Sequence, residues 1–214
     1  MIIRNCSASC KDIALFLIFS YLIDFLLLPA LFRADFSVPA VLLGVNLVKI
    51  AVLWIMLSRG SYREKPNSTR PRLWAAATAS ALSYLFIFIM NLAAASLSDI
   101  QTGPVFSRPD SVSGLILVIC LTIAAVQVEE LFYRKILLQG LKRMGASGPA
   151  AVIAAALLFS LGHVYAGLPG IIFSLLSGVI LGWLYLFSGK LRYPILVHLG
   201  YNFSALLFSG YLGM

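Results

Sequence analysis

Charge is scarce in this chain. Of its 214 residues only 11% are charged, with 8 acidic side chains against 16 basic ones and just 2 histidines. Soluble domains carry about 25% charged residues, so a chain that is 61% hydrophobic has too little polar surface to cover itself in water. Cysteine is sparse as well. Cys6, Cys10 and Cys120 are too few and too scattered for a disulfide framework or a four-ligand zinc site. The hydrophobic content excludes a disordered chain and speaks against a nucleic-acid-binding domain, despite a formal net charge of +8. Apolar–polar alternation of the kind that marks barrel strands is also missing. What remains is an all-α, polytopic transmembrane bundle.

A helix crossing the hydrocarbon core needs about 20 apolar residues at about 1.5 Å rise each. Seven stretches qualify, near 13–32, 38–57, 73–97, 112–133, 149–166, 170–187 and 194–212. The first lacks a small-residue cleavage site behind it, so it reads as a retained helix. Most basic residues then fall on one side: Arg4 and Lys11 before the first span, and Arg59, Arg63, Lys65, Arg70 and Arg72 in the loop Ser58–Arg72. Arg134, Lys135, Lys142 and Arg143 follow the fourth span, and Lys190 and Arg192 follow the sixth. The opposite side, with the loop Ser98–Ser111, holds Arg33 and Arg108 beside Asp35, Asp99 and Asp110. The positive-inside rule therefore predicts a cytoplasmic N-terminus. The expected organisation is one integral membrane domain over residues 1–214. Three N-terminal spans occupy 1–111, and a core over 112–212 carries the chemistry.

Ionised side chains near the bilayer centre cost about 2.5–3.5 kcal/mol each on insertion scales, so their placement is informative. Span four carries Glu129-Glu130-x-x-x-Arg134, span five Phe159-x-x-x-His163 and span seven His198-x-x-x-Asn202. Both histidines of the chain thus lie in apolar stretches. Glu130 and Arg134 are one turn apart in the favourable order for an ion pair, whereas Glu129 is turned about 100° from Glu130. One glutamate is therefore expected to be held by Arg134, leaving the other for chemistry. His198 and Asn202 share a helix face, and Phe159 is expected to wall the same pocket as His163. Glu129, counted from Arg143, and His163, counted from Pro149, lie equally far along their helices, about 21 Å at the ideal rise, whereas His198 lies only about 6 Å beyond Pro194.

These three motifs, in this order on separate helices, resemble the CPBP family. It includes the type II CAAX prenyl endopeptidases and bacterial proteins of bacteriocin processing and self-immunity. The resemblance covers residues 112–212 and implies an intramembrane endopeptidase. By that resemblance Glu129 is the catalytic carboxylate and activates water together with His163. His198 and Asn202 stabilise the oxyanion, and Glu130 and Arg134 support. Family members have also been described as metalloproteases. Glu129, His163 and His198 could supply three zinc ligands with one open position, although a metal-free mechanism is preferred because Asn202 beside His198 suits an oxyanion site. The implied partners are a peptide or membrane-protein substrate and the lipid bilayer, with no nucleic acid; the oligomeric state stays open. The implied location is a prokaryotic inner membrane, with the active site open to the cytoplasm.

Blander readings are set beside these. A lone intramembrane histidine commonly makes an interhelical hydrogen bond. Asp24, Asn46 and Lys49 form a second polar set, read as structural with Asp24 and Lys49 paired across helices. Gly178 and Gly182 form a small-xxx-small pair for close helix packing. Two other functions compete: a non-catalytic membrane scaffold or bacteriocin-immunity protein, and a proton-coupled transporter.

Overall fold

The computed structural model describes residues 2–23, 38–58, 73–97 and 111–208. Its described secondary structure is helical throughout. We label the helices α1 (Ile2–Leu22), α2 (Val38–Ser58), α3 (Leu73–Leu97), α4 (Val112–Arg143), α5 (Gly148–Leu161), α6 (Gly167–Ser188) and α7 (Arg192–Phe208). Four of them, α2, α3, α4 and α6, contain apolar windows long enough to cross a membrane, and the protein is an integral membrane protein. Asp24 and the connections 59–72 and 98–110 lie outside the described residues, as do the predicted span ends 24–32 and 209–212.

Helix ends follow local chemistry. Ser111 caps α4, its Oγ accepting from Gly114 N–H at 3.1 Å, and Ser147 caps α5, accepting from Ala150 N–H at 3.3 Å. Each hydroxyl satisfies one of the donors that a helix start leaves without an intrahelical partner. Gly189, at φ +63°, terminates α6 in the left-handed conformation that glycine adopts without steric cost.

Three boundaries differ from the sequence reading. The fourth helix does not stop near residue 133 but runs 32 residues to Arg143. Its Leu131–Leu138 stretch is a π-helix, a form that is rare and concentrated at functional sites. Arg134, counted above among loop charges, is a fully buried helical residue instead. The fifth helix ends at Leu161 rather than 166 and gives way through a turn to the 3₁₀ segment Val164–Ala166. Finally, α1 begins at Ile2, so the polar-leaning residues before position 13 are already helical.

The described helices form two compact units. The first contains α1, α2 and α4. Here α2 packs along α4, and α1 packs on the π stretch, where the Phe16 and Phe132 rings stack at 4.6 Å. Leu53, Val126, Ile136 and Leu138 are fully buried in this unit. Lys49 is also buried, while Asn46 donates to the carbonyl of Leu42 at 2.9 Å.

The second unit contains α3, α5, α6 and α7. Its core is formed by Ala76, Ile87, Leu181, Leu184, Tyr193 and Val197. Helix α5 meets α6 through a wall of small residues, Ala151, Ala155 and Ala156, all fully buried. A Cβ at Gly178 would stand 3.1 Å from Ala156 Cα and 3.3 Å from the Phe159 ring, which confirms close packing at the first glycine of the small-xxx-small pair. Because Ala156 Cα is backbone, it cannot swing aside. Gly178→Ala is therefore expected to force α5 and α6 apart and cost about 1–3 kcal/mol, measured as a lower midpoint of thermal unfolding in detergent. An unchanged midpoint would contradict the close approach.

Candidate active site

Helix α4 sorts its two carboxylates by direction. Adjacent helical residues point about 100° apart, and accordingly Glu130 is fully buried while Glu129 is half-buried. Arg134 Nε donates to Glu130 Oε2 at 3.0 Å and Nη2 donates to Oε1 at 3.4 Å, with both side chains wholly out of solvent. This forked pairing uses the planar geometry of guanidinium and carboxylate together. It pairs Arg134 with Glu130. The pair bridges the point where the α-helical register ends and the π register begins.

In the second unit, His163 sits two residues beyond the end of α5. Gly162 N–H turns back to the Phe159 carbonyl at 3.2 Å and His163 N–H to the Ser160 carbonyl at 3.0 Å, so the last turn tightens. The imidazole then reaches back along the helix, with Nδ1 at 2.9 Å from the carbonyl of Phe159. A carbonyl only accepts, so Nδ1 carries the proton. In the neutral ring Nε2 is then the atom that bears the lone pair, the one chemically able to accept a hydrogen bond or bind a metal. The side chain takes the hydrogen-bonding place that a further helical N–H would have held. This is why the ring direction is set by the helix end.

Phe159 connects the two histidines. Its ring lies 4.6 Å from that of His163 and 6.1 Å from that of His198, the latter edge-on at 85°. His198 is buried on α7, and half-buried Asn202 follows one turn later on the same helix face. The chain's two imidazoles, 35 residues apart in sequence, thus share one aromatic neighbour. The reading that put His163 about 21 Å along an unbroken helix is corrected by the turn at Gly162. The matching count for Glu129 crosses the π stretch, where the ideal α-helical rise does not apply.

The back of α7 is held separately. Gly200 lies halfway between His198 and Asn202, and a Cβ there would stand 3.4 Å from the ring of Tyr84 on α3. The Tyr84 hydroxyl is 2.6 Å from Ser204 Oγ, and Ser204 Oγ donates to the Gly200 carbonyl at 2.8 Å. The sequence reading missed Tyr84. A usable signal was present in Gly200 and Ser204, one turn apart and opposite the His198–Asn202 face, because small residues at helical spacing mark a close neighbour.

Among the described residues, neither unit on its own brings three His, Cys, Asp or Glu side chains together as metal ligands. The candidate zinc donors are divided between the units, with Glu129 in the first and His163 and His198 in the second.

Comparison with known proteins adds an independent finding. No curated protein and no solved structure matches the chain. A family model does: residues 111–204 match the one described as Type II CAAX prenyl endopeptidase Rce1-like. The match spans all three motifs, from the Glu129–Arg134 segment through His163 to His198 and Asn202. By this match, and in agreement with the motifs, the segment 111–204, a little under half of the chain, is similar to the Rce1-like type II CAAX prenyl endopeptidases.

Proposed function

We propose that this protein is an intramembrane endopeptidase that hydrolyses one peptide bond of a prenylated or otherwise membrane-associated substrate, using Glu129 as base. In this reading, which carries over the roles that the motifs imply, Glu129 takes a proton from water as the water oxygen attacks the peptide carbonyl carbon, with His163 assisting. The oxyanion that forms accepts hydrogen bonds from His198 and Asn202. When the C–N bond breaks, the proton passes from Glu129 to the leaving nitrogen, releasing a carboxylic acid and an amine, which then exchange a proton to become carboxylate and ammonium. Base assistance of this kind contributes typically 10²–10⁴-fold, and fixed donors at a developing oxyanion contribute a similar amount.

The observation that carries this reading is the pairing of His163 and His198 around Phe159, with the His163 tautomer set by the helix end. A hydrogen bond that only anchors helices needs no second imidazole beside the same ring. The substrate class is carried over from the family likeness as part of the proposal, and charge placement favours a cytoplasmic N-terminus and substrate entry from that side. A prokaryotic inner membrane is the setting we propose.

The donor set of one carboxylate and two imidazoles is also chemically suited to zinc, and an Nδ1–H shared with a carbonyl is usual for a metal-bound histidine. Zinc held there would supply a Lewis acid for the water. The proposal takes the metal-free route, in which Asn202 has a direct role. The test is to incubate the purified protein, before and after chelation, with a farnesylated peptide ending in a CAAX sequence and weigh the products. Loss of the C-terminal tripeptide at an unchanged rate after chelation is expected. Stoichiometric zinc with activity lost on its removal would overturn the metal-free mechanism. If the intact peptide survives under all conditions, the protein is better read as a scaffold.

A further inference from the structure

The family match begins at residue 111, yet a residue well before it braces the helix that carries half of the candidate site. Helix α7 has two opposed faces. With 100° per residue, His198 and Asn202 cluster within about 40° of one another, and Gly200 and Ser204 cluster on the far side, about 200° away. Phe159 of α5 meets the first face through His198, and Tyr84 of α3 meets the second through Gly200 and Ser204.

Hydrogen-bond arithmetic gives the brace a direction. A serine hydroxyl has one proton to donate, and that of Ser204 goes to the Gly200 carbonyl. Tyr84 must therefore be the donor in the 2.6 Å contact with Ser204 Oγ. The result is a chain, Tyr84 O–H to Ser204 O–H to Gly200 C=O, in which each bond polarises the next. Gly200 lies midway between His198 and Asn202, so the brace acts at the same height along α7 as those two side chains. A Cβ at Gly200 would just touch the Tyr84 ring, at 3.4 Å, so the ring stands about one methyl away from the helix backbone. An apolar contact alone would let α7 rotate or slide, because hydrocarbon packing is weakly directional. The hydrogen-bonded chain removes that freedom.

We infer that Tyr84 is a positioning residue, which sets the rotation of α7 and so aims His198 and Asn202 at the reacting carbonyl oxygen. The inference rests on the hydrolase reading for its catalytic consequence, but the brace itself can be read without activity. Tyr84→Phe keeps the ring against Gly200 and removes only the donor. With the farnesylated CAAX peptide as probe, this variant is expected to lower kcat about tenfold while KM changes little, since small displacements of oriented groups are costly. Ser204→Ala should match it, the Tyr84→Phe/Ser204→Ala double variant should be no slower than either alone, and Ser204→Thr should restore most of the rate. In parallel, diethyl pyrocarbonate labelling read by mass spectrometry should show a changed rate at His198 and an unchanged rate at His163.

Unaltered kcat together with unaltered labelling of His198 in Tyr84→Phe would overturn the inference. So would losses that simply add in the double variant, because the two hydroxyls would then be acting separately. A wild-type protein that leaves the probe uncut, but whose His198 labelling responds to Tyr84→Phe, would retain the brace and remove the hydrolase reading instead.

Discussion

Glu129→Gln is expected to reduce cleavage of the farnesylated peptide by about 10²–10⁴-fold, the range that a positioned general base typically contributes. Glutamine keeps the volume and one acceptor oxygen but cannot take the water's proton. Because Glu129 is only half-buried while Glu130 holds Arg134, the substitution leaves the buried ion pair alone, and the thermal unfolding midpoint should stay near that of the wild type. On the proposed mechanism His163→Ala should give a loss of the same order, and the double variant little more, since residues that serve one step are not additive. A Glu129→Gln protein that still cleaves within tenfold of the wild-type rate would transfer the base role elsewhere. If expressed Glu129→Ala and His163→Ala proteins complement a deletion fully, catalysis is not what the cell requires from this chain, and the scaffold or immunity role gains.

The second large effect concerns stability. Arg134→Met is expected to cost about 3–5 kcal/mol, because it leaves the Glu130 carboxylate buried without its cation. Both members of the pair are wholly inaccessible, so water cannot replace the lost partner. Removing both charges should be far less damaging: Glu130→Gln/Arg134→Met carries no orphan ion, and replacing buried pairs with neutral side chains is often tolerated. Unfolding of the three variants in detergent, followed by tryptophan fluorescence, separates these cases. Were Arg134→Met as stable as the wild type, the pair would not be holding the junction of the α and π registers. Activity provides a further contrast, since the double variant should retain more of it than Glu129→Gln despite changing two motif residues.

Much of this molecule was legible in its sequence. Uninterrupted apolar runs located the helices, because a chain with so few charges has only the lipid in which to place its hydrocarbon, and backbone groups there must be paired within helices. Four-residue spacing likewise exposed Glu130–Arg134 and His198–Asn202, since 3.6 residues per turn puts such pairs on one face. The cost of ions in lipid drew attention to the motif segments, and the family match agrees with that choice.

Other features were decided by tertiary structure, because they depend on interactions that no local pattern encodes. The turn after Leu161 arises where the His163 ring competes with main-chain N–H groups for the Phe159 carbonyl, and apolar periodicity is blind to that exchange. The π register of Leu131–Leu138 changes helix pairing without changing composition. Tyr84 gains its role only because α3 lies against the glycine on the back of α7, a neighbour more than a hundred residues away in the chain. Sequence periodicity determines which face of each helix is polar; the folded packing determines what that face meets.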